Sequence, residues 1–178
     1  MNWVRTVLFR AVFYLLSVPI VATVPISALL GQRAVIAHSD SWSRLHRVLM
    51  RWILGIRPRV EGTIPQGQFL YVAKHEAMYE TLELQLILGS PAMVLKRELM
   101  RIPIWGWATT KYGSLVVDRD ASAKALKQLM REGRALRESG RSVIVYAEGT
   151  RVAPGERPPL RSGFAGLYKA LDLPVVPI

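Results

Sequence analysis

No cysteine occurs among the 178 residues, and that absence removes disulfides, thiolate metal sites and a cysteine acyl-enzyme together. Acidic residues are almost missing from the amino-terminal third. Residues 1–60 hold eight arginines against one aspartate, whereas residues 61–178 hold 16 Lys and Arg against 12 Asp and Glu. The excess that makes up the net charge of +11 is therefore concentrated at one end. There is no Gly-x-Ser-x-Gly elbow, no phosphate-cradling P-loop, no Gly-x-Gly-x-x-Gly fingerprint and no His/Cys metal spacing, which sets aside the chemistries those motifs carry. A nucleic-acid partner is not expected either, because the later charges do not form a basic surface interleaved with aromatics. At this length one domain with a real core and one appendage fit.

What is present begins with a long apolar run. Residues 11–30, AVFYLLSVPIVATVPISALL, are uncharged, and about 20 residues is the length a helix needs to cross a bilayer. Pro19 and Pro25 fall inside it, and basic residues flank both ends, Arg5 and Arg10 before, Arg33, Arg44 and Arg47 after. A simple span concentrates its basic residues on one side, so a bent or re-entrant segment is preferred to a span. A signal peptide fits less well, since the run is too long and no convincing cleavage site follows. Between residues 42 and 56, Trp42, Leu45, Val48, Leu49, Trp52, Ile53 and Ile56 recur at helical spacing among Arg44, Arg47 and Arg51. This reads as a basic amphipathic helix lying in a membrane interface, the alternative being an ordinary helix packed on the domain with a solvated basic face. Residues 1–57 are accordingly expected to form a membrane-associated helical segment.

From residue 58 short β-rich runs alternate with helical stretches, the texture of an α/β domain with a mostly parallel sheet flanked by helices. Strands are expected at 58–61, 69–73, 91–95, 114–118, 142–147 and 174–178, and helices at 77–88, 98–110, 121–138 and 163–171. The basic run in helix 121–138 reads as a solvated face.

Three constellations could carry chemistry. His75 follows the strand FLYVA, with Glu80 five residues on. Inside one helix the two would point about 140° apart, so they meet only if His75 lies on the turn before the helix. A carboxylate there would take the imidazole N–H, fix the tautomer and leave the other nitrogen free to remove a proton from a hydroxyl. Taken alone the pair is weak: with three histidines, a chance match is roughly one in three. The second constellation runs from Lys96-Arg97-Glu98-Leu99 and Ile102-Pro103 through Gly113 to Asp118-Arg119; the third is Glu148-Gly149-Thr150-Arg151 after the strand SVIVYA. Both follow apolar strands, at the carboxyl edge where open parallel sheets bind ligands. An arginine there offers a two-pronged fork to phosphate, the glycine permits close backbone approach, and the glutamate can hold the arginine or a substrate hydroxyl. Asp118 and Arg119 could equally pair with each other or cap the following helix, and the third group could be a turn with a surface ion pair.

Over residues 60–178 these features resemble the glycerolipid acyltransferase family. His75-x4-Glu80, Gly113 to Arg119, Glu148-Gly149-Thr150-Arg151 and Val176-Pro177-Ile178 stand in the order of that family's four motifs. The resemblance implies that His75 is the general base and Glu80 its orienting carboxylate. The acyl group would pass directly from acyl-CoA or acyl-carrier protein to the free sn-2 hydroxyl of lysophosphatidic acid, without metal or cofactor. Lys96, Arg119 and Arg151 would bind the acceptor's phosphate, Glu148, Gly149 and Thr150 would shape that pocket, and Pro177 would line the site. Other acceptors, glycerol-3-phosphate or a lyso-aminolipid, remain open, as does a non-catalytic basic protein that binds anionic lipid. The expected location is a phospholipid membrane, the bacterial inner membrane, with the site on its cytoplasmic side. Two departures stand out: the family's first motif usually ends in Asp where this chain has Glu80, and the chain stops at Ile178 inside an apolar run where the family continues, so the domain 58–178 is expected to be truncated.

Overall fold

The computed structural model describes residues 2–117, 123–160 and 163–178, with backbone alone for 123–126 and 163. The chain forms two compact units, Met1–Ile64 with Thr81–Ser90, and Pro65–Glu80 with Pro91–Ile178.

In the first unit, helix α1 (Trp3–Leu29) runs unbroken through Pro19 and Pro25. Proline removes a helical hydrogen bond and crowds the preceding turn. Here side chains attend to nearby carbonyls: Thr23 Oγ1 donates to the Pro19 and Ile20 carbonyls (3.0 and 2.9 Å), and His38 Nε2 donates to the Ile20 carbonyl at 2.8 Å. The helix is long and apolar enough to cross a membrane, and most of its apolar run is uncovered by the rest of the protein.

Helix α2 (Gln32–Leu49) starts ten residues before the expected amphipathic helix and gives way to a π-helical turn, Met50–Leu54, closed by Gly55 at φ +75°. Val35, Ser43, His46 and Met50 are buried, while Val48 and Trp52 are exposed. The inward side is chosen by aromatic packing on α1: Phe13 stacks with Phe9 and Trp42 (both 5.7 Å) and meets His46 edge-on at 5.1 Å, and Trp42 Nε1 donates to Ser17 Oγ at 2.8 Å. Polar bonds tie helix α3 (Tyr79–Ile87) to α2 through its residues 81–87. Arg47 Nε donates to Glu83 Oε2 at 2.8 Å, and Asp40 accepts from Gln85 Nε2 (2.8 Å) and from Ser90 Oγ (2.7 Å), just beyond the helix.

The second unit is a five-stranded, fully parallel sheet flanked by helices. Its strands are β1 (Leu70–Ala73), β2 (Ala92–Lys96), β3 (Leu115–Val117), β4 (Val143–Tyr146) and β5 (Val175–Pro177), in the order β3-β2-β4-β1-β5. Each is a short apolar run, as burial under helices requires of a parallel sheet. The expected strand at 58–61 does not form; those residues are exposed and unpaired with the sheet. The core gathers Leu70, Leu115, Val143, Val145, Leu167 and Leu171. Helices α5 (Ala123–Glu138) and α6 (Gly163–Leu171) pack closely, since a Cβ on Gly133 would lie 3.0 Å from the Ala170 carbonyl oxygen. Lys127, Arg131, Arg134 and Arg137 face solvent, as the sequence predicts. The single helix expected at 98–110 is instead a 3-10 turn (Arg97–Arg101) and helix α4 (Trp105–Tyr112). Pro103 explains the break, because it bars its predecessor from the helical region, and Ile102 is extended at φ −72°, ψ 119°.

The order of strands in the sheet places β4 between β2 and β1, so β1 and β4 are neighbours with Ala73 opposite Tyr146. The segments that follow these two residues leave the same carboxyl edge side by side.

Candidate active site

Strand β1 ends at Ala73, and His75 lies on the turn between it and α3. The imidazole Nδ1 lies 2.7 Å from Glu80 Oε1. The same carboxylate accepts from the Glu76 N–H (3.0 Å) and the Ala77 N–H (2.9 Å to Oε1, 3.0 Å to Oε2). A carboxylate in the first turn of a helix is favoured by the exposed amides there, and Glu80 uses them to fold back over the turn. The extra methylene relative to aspartate is what reaches back. Surrounded by donors, the carboxylate selects the Nδ1–H tautomer and leaves the Nε2 lone pair available. Nε2 makes no bond among the described residues, and the His75 side chain is 19% exposed, open to a small substrate group.

Two further contacts hold this histidine, neither foreseen from spacing. The Tyr146 ring lies over the imidazole, with centroids 4.5 Å apart and planes 32° from parallel. The Val152 N–H donates to the His75 carbonyl at 2.7 Å, which pins the 148–152 loop to the histidine turn. Tyr146 had one sequence signal, an aromatic residue closing the strand before Glu148. The Val152 bond is backbone to backbone and has none.

The remaining predicted residues fall as follows. Glu148 is buried, and its Oε2 has no hydrogen-bond partner among the described residues. No Glu148–Arg151 ion pair forms among the described residues, so of the two roles read for Glu148, holding the arginine is not realised. Gly149 adopts φ +67° and its N–H donates to the Tyr146 carbonyl at 2.9 Å, a turn that needs the left-handed freedom of glycine. Thr150 and Arg151 are exposed beside it. Lys96 is the last residue of β2, half-buried, at the same carboxyl edge. Pro177 is exposed on the edge strand β5, in register with Val72, a position where a missing N–H is tolerated. Asp118 and Arg119 lie outside the described residues. Of the predicted set, the structure brings His75 and Glu80 into contact and joins the Glu148–Arg151 segment to His75 through Val152. Lys96 and Pro177 share the strand ends without a contact to His75 among the described bonds.

A family model described as Acyltransferase matches residues 57–178. The chain is 34% identical over 141 residues to the 1-acyl-sn-glycerol-3-phosphate acyltransferase of Pseudomonas aeruginosa, covering 78% of this chain and 55% of that one. It is 28% identical over 134 residues to the enzyme of the same name from Cocos nucifera, covering 74% and 43%. The chain thus spans about half the length of the curated relatives it matches. Among solved structures, the 1-acyl-sn-glycerophosphate acyltransferase of Thermotoga maritima superposes with a TM-score of 0.68 over 98% of this chain and 73% of that one. At 22% identity that likeness speaks to the fold alone.

Proposed function

The chain belongs to the acyltransferase family, and from that premise we propose that it transfers a fatty acyl group from acyl-CoA or acyl-carrier protein to the sn-2 hydroxyl of lysophosphatidic acid, giving phosphatidic acid. The observation that carries this reading is the His75–Glu80 pair, in which Nδ1 is bonded to a carboxylate and Nε2 is left without a partner among the described residues. His75 Nε2 takes the proton of the acceptor hydroxyl as its oxygen attacks the thioester carbonyl. The tetrahedral adduct collapses with loss of the thiolate, to which the imidazolium returns the proton. Glu80 stabilises the imidazolium while it exists. The steps need no enzyme nucleophile, metal or cofactor.

Acceptor binding follows from the carboxyl edge. Arg151, with Arg119 and Lys96, supplies positive charge for the phosphate. The bare Oε2 of Glu148 is a buried acceptor suited to a hydroxyl of the substrate, because a buried unpaired oxygen gains by receiving a donor. The names of the curated relatives favour lysophosphatidic acid over other lysolipids. The apolar α1 and the basic amino-terminal third favour a membrane location with the basic side on an anionic, cytoplasmic leaflet.

Radiolabelled acyl transfer from both donors to a panel of lysophosphatidic acid, glycerol-3-phosphate and lyso-aminolipid tests the reading. The expected result is product with lysophosphatidic acid that His75→Ala abolishes. Preference for another acceptor overturns the substrate, and activity that survives His75→Ala overturns the mechanism.

A further inference from the structure

Between β2 and α4 the sheet unit carries a feature that the reaction does not use. Ile102, Ile104, Trp105 and Trp107 are each 41–48% exposed, four large apolar side chains within six residues. Exposed apolar residues elsewhere in this unit, such as Leu160 and Tyr168, are scattered, and scattered ones need no explanation.

The backbone holds this tip outward under strain. Ile104 sits at φ +64°, ψ −51°, and the Trp105 N–H donates to the Pro103 carbonyl at 2.6 Å. Together these define a γ-turn of the strained hand, centred on a β-branched residue that disfavours positive φ. Such conformations cluster where function requires them. The turn is fixed from behind, because Gly106 packs so closely that a Cβ there would lie 2.1 Å from the Met100 carbonyl oxygen. Its N–H donates to the Ile102 carbonyl at 2.9 Å.

Exposed Arg97, Arg101 and Lys111 flank the tip along the chain, Arg97 also donating to Gln128 Oε1 at 3.4 Å, with Glu98 as the one acid between residues 96 and 111. Tryptophan with apolar neighbours and a cationic rim is the composition that settles at a lipid–water interface, rings among the headgroups and cations on anionic phosphates. We propose that residues 101–107 form a membrane-contact surface of the sheet unit itself, which inserts into the interface of an anionic bilayer independently of α1. A bound acyl chain would account for the apolar side chains but not for the basic rim.

The absence of cysteine allows a direct test on the full chain. Ile104→Cys is labelled with an environment-sensitive fluorophore, with Glu156→Cys, an exposed position of the same unit, as the control and Trp107→Cys as a second reporter should the first variant fold poorly. With mixed phosphatidylcholine–phosphatidylglycerol vesicles, the label at 104 or 107 should brighten several-fold, shift to the blue and be quenched by spin-labelled lipid, while the label at 156 stays unchanged. Arg97→Gln combined with Arg101→Gln and Lys111→Gln should weaken the response on those vesicles. Three results overturn the proposal: no change at 104 and 107 while the protein co-sediments with vesicles; an equal response to pure phosphatidylcholine; or an equal response to lysolipid micelles or to an acidic protein without bilayers. Docking is read without turnover, so the outcome is separate from that of the acyl-transfer assay.

Discussion

Replacing Glu80 by glutamine separates its two duties, orienting His75 and closing the start of α3. Glu80 Oε1 faces three donors, His75 Nδ1 and the amides of residues 76 and 77, while Oε2 accepts from the Ala77 N–H. A carboxamide can place its oxygen on only one side, and its NH2 then meets an N–H, donor against donor. The negative charge that stabilises the imidazolium is also gone. A charge-assisted hydrogen bond is worth about 1.5–3 kcal/mol, which at about 1.4 kcal/mol per tenfold corresponds to a fall in kcat of roughly 10- to 150-fold. The acceptor KM should stay within about twofold, because the lost interaction strengthens only when the imidazolium forms. Loss of the helix-start bonds costs about 1 kcal/mol, a few degrees in Tm for a chain of this size, so assays run well below the transition isolate the chemical effect. Glu80→Asp, shorter by about 1.5 Å, cannot reach the imidazole and both amides at once and should fall between wild type and Glu80→Gln. Initial-rate acyl transfer with vesicle-borne acceptor, paired with thermal melts, checks all three. If Glu80→Gln kept wild-type kcat while its Tm dropped, the carboxylate would be a helix cap alone and the dyad reasoning would be refuted.

Loss of the ring over His75 should lower kcat with little change in KM: Tyr146→Leu by about two- to twelvefold, from the roughly 0.5–1.5 kcal/mol an aromatic contact contributes, with Tyr146→Phe within about twofold of wild type in the same assay. Arg47→Met strands Glu83, whose side chain is 4% exposed, and should destabilise the first unit by about 3 kcal/mol, the lower end for a broken buried pair because Arg47 itself is 35% exposed; denaturant melts in detergent should show Glu83→Gln partly rescuing it. Burial holds the pKa of His46 below its ordinary 6.5, against a smaller upward pull from Glu83. Its neutral form is thus matched in the folded and unfolded states above pH 6.5, and stability declines as pH falls from there towards the lowered folded value, where the unfolded chain takes up a proton that the folded one refuses. The slope is at most about 1.4 kcal/mol per pH unit, and melts between about pH 8 and pH 5 should show it flattened in His46→Leu.

The order of apolar runs and turns in the sequence determined the parallel sheet and its flanking helices, because short buried strands and amphipathic helices are patterns of period and composition that any local stretch displays. Five of the six expected strands stand within a residue or two of their predicted places. The strand expected at 58–61 failed for a tertiary reason, since a strand exists only when a neighbour supplies the ladder. The helix expected at 98–110 failed for a local one, as Pro103 marked a break that helical periodicity alone passes over. The inward side of α2 was not legible in its own sequence, because Phe9 and Phe13, distant in sequence, pack on His46, a residue outside the apolar stripe. At the candidate site, the spacing of His75 and Glu80 established only that a turn could join them. Tertiary structure supplied the rest: the adjacency of β1 and β4 sets Tyr146 over the imidazole and gives the His75 carbonyl the Val152 N–H. Strand order is a property of long-range pairing, and the partners it creates carry no signature in the local sequence.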